Sequence, residues 1–153
     1  MIKLLINVDI EKCNGCRLCE IVCSLKHEGV PYPARSRIEV IEARDNVWVP
    51  VFCFQCEDAT CMKVCPVNAL KRDEKEDLII MDKETCINCK ACAFACAFGA
   101  IGIDSEGKTF KCDLCDGEPL CVKICPVEAL TYTHPENVTF KKKLAIAEKL
   151  LIP

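Results

Sequence analysis

"CINCKACAFAC", residues 86–96, sets four thiols, Cys86, Cys89, Cys92 and Cys96, at the spacing C-x2-C-x2-C-x3-C. Cys13, Cys16, Cys19 and Cys23 repeat that spacing near the start of the chain. A looser version follows each compact one. Cys53, Cys56, Cys61 and Cys65 run C-x2-C-x4-C-x3-C and are followed by Pro66; Cys112, Cys115, Cys121 and Cys125 run C-x2-C-x5-C-x3-C and are followed by Pro126. All sixteen cysteines of the 153-residue chain fall into these four quartets. Compact, loose, compact, loose reads as a duplicated pair.

The flanks repeat as well. "CMKVCPVNAL" (61–70) and "CVKICPVEAL" (121–130) agree at seven of ten positions, and "CAFACAFGAI" (92–101) keeps the closing cysteine and the alanine–aliphatic ending. After Cys23 comes "SLKHEG" instead, so the first quartet sends the chain along a different path. Between quartets the sequence reads as short strands and turns. Ile38 and Val40, then Val47, Val49 and Val51, alternate with their neighbours as half-buried strands do. "DLIIMD" (77–82) and "AIGID" (100–104) are further strands, and "SEGK" (105–108) and "DGEP" (116–119) are turns by composition. "KRDEKED" (71–77) reads as a solvated loop. A tail follows the cysteine-bearing domain, which spans residues 1–137. Over 138–153 Phe140, Leu144, Ala147 and Leu151 recur at helical spacing beside the lysines 141–143. That stripe suits a helix capping the chain's own core or one docking on a partner subunit.

Composition narrows what the quartets do. Without cysteine the hydrophobic share falls to about two-fifths of the residues, and only nine aromatics are present. So small and aromatic-poor a chain needs internal staples. Disulfides belong to exported chains, but "MIKLLINVDIEKC" lacks the apolar run and small-residue cleavage site of a signal peptide. No stretch is long enough to span a membrane. The expectation is a reduced, cytoplasmic protein without direct membrane insertion. A formal charge of −3 carries no nucleic-acid footprint.

Zinc wants two cysteine pairs separated by a spacer, closing a tetrahedron. Here three thiols sit on one tight loop, which suits three corners of a cubane, and the fourth begins a new segment free to reach elsewhere. The run C-x2-C-x2-C-x3-C-P is the bacterial ferredoxin signature, in which the fourth cysteine ligates the other cluster of a pair. Four such runs using every cysteine point to four [4Fe–4S] clusters. Pro66 and Pro126 turn the chain off the cluster. Gly15, Ala91, Ala93 and Ala97 let backbone approach the inorganic sulfides. The two histidines, His27 and His134, form no catalytic pairing, and no thiol is left over as a nucleophile. His27, four residues past Cys23, serves packing or hydrogen-bonds near a cluster. Four closely spaced one-electron carriers without a substrate site make a wire rather than an enzyme.

These motifs resemble the four-cluster ferredoxin-like electron-transfer subunits of molybdenum and tungsten oxidoreductases, hydrogenases and carbon monoxide dehydrogenases. The resemblance covers about residues 1–134. It implies an α+β fold of duplicated bacterial-ferredoxin-like dicluster modules, with short strands and helices around four clusters. It also implies a nested pairing of quartets, first with fourth and second with third. One cluster would take Cys13, Cys16, Cys19 and Cys125, and its neighbour Cys112, Cys115, Cys121 and Cys23. The others would take Cys53, Cys56, Cys61 and Cys96, and Cys86, Cys89, Cys92 and Cys65. Spacing alone equally allows first with second and third with fourth. "CSLKHEGVPYPARSRIEV" (23–40) and "KCDLCDG" (111–117) resemble the compact members of the family. The partner so implied is a large catalytic subunit, best matched by a tungsten or molybdenum aldehyde oxidoreductase, with a further redox subunit or acceptor beyond. A freely diffusing polyferredoxin serving several enzymes, or a colourless zinc module, is the competing expectation.

Overall fold

The computed structural model describes residues 4–75 and 77–150. Its strands are short and pair two by two. Among the described residues they form four antiparallel ribbons. β1 (Leu5–Val8), which leads into the first quartet, pairs with β8 (Leu130–Thr133), which follows the fourth. β4 (Leu70–Arg72), which follows the second quartet, pairs with β5 (Ile79–Met81), which leads into the third. The same construction therefore occurs twice, one copy nested inside the other. Even the hydrogen bond past each ribbon repeats: Asp9 N donates to Ala129 O and Asp82 N to Ala69 O, both at 2.8 Å. β6 (Ile101–Ile103) and β7 (Thr109–Lys111) make a hairpin between the third and fourth quartets.

Four helices rise out of the quartets. α1 (Leu18–Glu28) carries Cys19 and Cys23, α2 (Thr60–Lys63) Cys61, α3 (Ala91–Ala95) Cys92 and α4 (Leu120–Ile124) Cys121. α1 packs on α4, and α2 on α3. The departure of "SLKHEG" is explained here. α1 runs on through Cys23 and stops at Gly29, whose left-handed φ of 75° lets its N–H close onto Leu25 O at 3.0 Å.

The hairpin of β2 (Ile38–Arg44) and β3 (Val47–Phe52) corrects one expectation. Ile38 and Val40 are buried as expected, but on β3 the buried residues are Pro50 and Phe52, not the valines. Register decides this. Ile38 lies opposite Phe52 and Val40 opposite Pro50, so these four share a face. Val40 bonds away from β3, its N–H to Glu20 Oε1 at 2.6 Å and its carbonyl to Arg17 at 3.1 Å. Pro50, without an N–H, is tolerated at that position.

The core is split. Ile38, Val40, Phe52 and Leu130 pack with Cys19, Cys23 and Cys121, while Leu70, Ile79 and Ile101 pack with Cys92. The tail forms α5 (Pro135–Leu150), three residues earlier than 138, with proline in its favoured first-turn place. Phe140 and Leu144 stay 67% and 49% exposed, so these two do not cap either core; Leu151 lies outside the described residues. Among those residues no helix is long and apolar enough to cross a membrane.

Candidate metal centres

The ligand loops are built by backbone conformation. In every quartet the residue before the second cysteine is left-handed: Gly15 (φ 70°), Gln55 (51°), Asn88 (53°) and Leu114 (55°). In three of the four loops a second left-handed residue follows the second cysteine, Arg17 at 59°, Lys90 at 66° and Asp116 at 58°. Non-glycine residues adopt this conformation at a cost of about 1–2 kcal/mol each, and such strain collects where a ligand is held. Turns of this kind aim successive N–H groups inward and make concavities for anions. Gln55 N and Leu114 N each lie 3.4 Å from the first sulfur of their own quartet.

The sulfurs meet across quartets. Cys65 lines one cavity with Cys86, Cys89 and Cys92, joining the last cysteine of the second quartet to the first three of the third. Cys96 lies near Cys61, whose thiol is raised by burial and further by Cys53 and Cys96. Cys23 lies among the fourth quartet. Burial pushes the Cys112 thiol up to about 12, and Cys53 and Cys23 add to the rise. Cys121 is raised by burial and then by Cys112, Cys23 and Cys115. Cys13 and Cys125 both pack against the core that holds Cys19 and Cys121. Cys16 and Cys89 are the exposed cysteines.

This donor set fits iron–sulfur clusters. Buried thiols crowded together stay protonated unless a cation draws the protons off, and metal ligation does that. Cys19 is likewise pushed up to about 12, by burial first and by Glu20 second. Cys65 behaves differently. Burial works to raise it, but the N–H groups of Ala69, Val67, Leu70 and Asn68 outweigh burial and hold it below the ordinary thiol range. Ala69 N stands 3.2 Å from Cys65 Sγ, and Arg37 N stands 3.2 Å from Cys23 Sγ. The turn after Cys65 is shaped for a thiolate.

Several supporting residues carry no signal in the cysteine spacing. Arg72 belongs to β4 rather than to a solvated loop, and its guanidinium donates to Cys56 O at 2.7 Å and Glu57 O at 3.0 Å. Gln55 spans the quartets: Nε2 donates to Cys112 O and Oε1 accepts from Ile79 N, both at 2.8 Å. Arg37 is nearly buried, bonded to Glu28 at 2.7 Å and set over the Phe110 ring. His27 Nε2 stands 3.8 Å from Cys115 Sγ and 3.5 Å from Asp113 Oδ1. Gly15 answers to more than sulfide: a Cβ there would run into the Trp48 ring.

A family model described as a 4Fe-4S dicluster domain matches residues 45–135, and one described as a 4Fe-4S binding domain matches residues 10–28. The "Aliphatic sulfonate oxidoreductase, polyferredoxin-like subunit" of Pyrococcus furiosus is 45% identical over 124 residues, covering 80% of this chain and 72% of the relative. The "Putative electron transport protein YsaA" of Escherichia coli is 41% identical over 144 residues, covering 85% and 89%. The "Electron transport protein HydN" of the same species is 35% identical over 149 residues, covering 80% and 83%.

Proposed function

The chain belongs to the 4Fe-4S dicluster domain family and is a ferredoxin-like electron-transfer subunit; from that premise we propose that it holds four [4Fe–4S] clusters and serves a large catalytic oxidoreductase subunit containing tungsten or molybdenum. The first ligand set is Cys13, Cys16, Cys19 and Cys125, and the second is Cys23, Cys112, Cys115 and Cys121. The third is Cys53, Cys56, Cys61 and Cys96, and the fourth is Cys65, Cys86, Cys89 and Cys92. Bound clusters supply one-electron chemistry at potentials that range from about −700 to +450 mV across proteins.

The observation that carries this reading is the crossing of closing cysteines. Cys65 shares its cavity with Cys86, Cys89 and Cys92 rather than with its own quartet's first three. The packing of α1 on α4 and of α2 on α3 supports the same nesting, as does Cys23 beside Cys121. The sets also fall into an order. First and second share the α1–α4 module, Cys53 and Cys112 bring third and second together, and third and fourth share the α2–α3 module. The two exposed cysteines then belong to opposite ends, Cys16 to the first set and Cys89 to the fourth. Redox partners can approach a ligand sulfur at those two loops.

The chain's own residues bind and orient. The left-handed loops fix three thiolates at a time, Arg72 ties the Cys56–Glu57 backbone to β4, and the turn after Cys65 screens that thiolate with N–H groups. All sixteen cysteines are assigned as cluster ligands, and catalysis is assigned to the partner. The name of the Pyrococcus relative, a subunit of an oxidoreductase, and the compact wording of "KCDLCDG" support that assignment. A reduced cytoplasmic setting suits sixteen thiolate ligands.

The test is anaerobic purification of the untagged protein from its native host, with iron, sulfide, zinc, tungsten and molybdenum measured in one sample. About sixteen irons and sixteen sulfides per chain, with a larger tungsten- or molybdenum-bearing subunit co-purifying, are expected. Full iron with no companion would replace the bound subunit by a diffusing polyferredoxin. Zinc without sulfide would sink the cluster assignment.

A further inference from the structure

Lys111 ends β7, opposite Ile101, and is only 7% exposed. Lysine is almost never buried unless it is paired. Among the described residues no carboxylate pairs with it. Its Nζ donates instead to two backbone carbonyls, Ile79 O at 2.6 Å and Cys112 O at 2.8 Å. Those dipoles satisfy hydrogen bonds without supplying a counter-charge, and an uncompensated buried cation is costly.

The location supplies what the carbonyls lack. Cys112 O also accepts from Gln55 Nε2, so the ammonium is one shared oxygen away from the loop between Cys53 and Cys56. Ile79 is held from both sides too, its carbonyl by Lys111 and its N–H by Gln55 Oε1. Lys111 thus stands at the seam where the second ligand set meets the third.

We propose that Lys111 is a fixed positive charge set between the second and third ligand sets, raising the reduction potential of the clusters at both. This rests on the ligand sets given above. Reduction adds one negative charge to a cluster, and a nearby cation in a poorly solvated interior favours that added charge. The ammonium touches both sides of the seam: it donates to the carbonyl of Cys112, a second-set ligand, and through that shared oxygen meets Gln55, which stands between the third-set ligands Cys53 and Cys56. The first and fourth sets lie beyond those two, so the charge raises the middle of the row and leaves its ends.

The test compares Lys111→Met and Lys111→Gln with wild type in the full cluster-loaded chain, by anaerobic redox titration followed by electron paramagnetic resonance. Glutamine keeps a donor for the carbonyls and loses the charge; methionine loses both. Both variants are expected to lower two of the four midpoints. The reduced-to-oxidised ratio of those two clusters should fall about tenfold at fixed potential, about 59 mV for a one-electron couple, and the other two should stay. Unmoved midpoints in Lys111→Gln would overturn the proposal, whatever methionine does, because the charge would then be idle. So would a uniform shift of all four, or loss of iron from both variants, which would make Lys111 a structural strut. Iron and sulfide in the wild type judge the ligand sets separately: a chain without them fails that assignment before any lysine variant is compared.

Discussion

At position 15 two demands meet on one residue. The backbone is left-handed, φ 70°, and the space where a side chain would start is filled by the Trp48 ring. The equivalent positions in the other loops carry Gln55, Asn88 and Leu114, so left-handedness alone does not require glycine. The ring does. Gly15→Ala is expected to destabilise the loaded protein by about 1–3 kcal/mol, combining backbone strain with overpacking. Unfolding releases iron and is irreversible, so the measurement is the rate at which visible absorbance is lost in guanidinium. Adding Trp48→Leu to Gly15→Ala should recover part of that loss, because the two residues touch and their effects are coupled. Equal rates for the single and double variants would show that the backbone angle, and not the ring, carries the cost.

The turn that follows the closing cysteine is the best-conserved element within the chain itself. In three repeats the residue three places on is left-handed, Asn68 at 52°, Gly99 at 61° and Glu128 at 52°. Each donates its N–H back to the closing cysteine's carbonyl, at 3.3, 3.2 and 3.3 Å. Ala69 and Ala129 are then both 1% exposed, and Leu70 and Leu130 both 3%. Glutamate is the poorest of the three occupants for that backbone, since asparagine and glycine tolerate it better. Glu128 is exposed, so exchanging it disturbs no packing. Glu128→Asn is expected to stabilise by roughly 0.5–1 kcal/mol, seen as a rise of a few degrees in the melting temperature of the loaded protein; an unchanged or lower value would refute the account of strain. This repeat was legible in "CPVNAL" and "CPVEAL", and so were the strands at 79–81 and 101–103. The face of β3 was not. Val47, Val49 and Val51 look like the buried row, but register sets Pro50 and Phe52 against Val40 and Ile38, and pairing register is a property of two segments at once. Arg72 and Gln55 were hidden for a related reason, since their partners lie 16 and 57 residues away.

Taken whole, the molecule has a divided core, and cysteines belong to both halves. Ribbons of three or four residues are not stable alone. Removing iron with a chelator under oxidising conditions is therefore expected to abolish most of the ordered structure, read as loss of far-ultraviolet dichroism and of proton chemical-shift dispersion. A native-like spectrum in the iron-free chain would mean that the hydrocarbon core suffices. The four quartets name the sulfurs and leave open which quartet closes on which; the nested ribbons, β1 with β8 and β4 with β5, are what bring distant quartets together. That nesting has a test that compares ligands rather than counting iron. Cys23→Ser should remove or alter the same paramagnetic signal as Cys112→Ser, because both residues are assigned to the proposed second set. Cys13→Ser, ten residues before Cys23 in the same quartet, should affect a different one. If Cys23→Ser instead matches Cys53→Ser, the quartets close first on second, and both the order of the four sets and the place assigned to Lys111 fall with it.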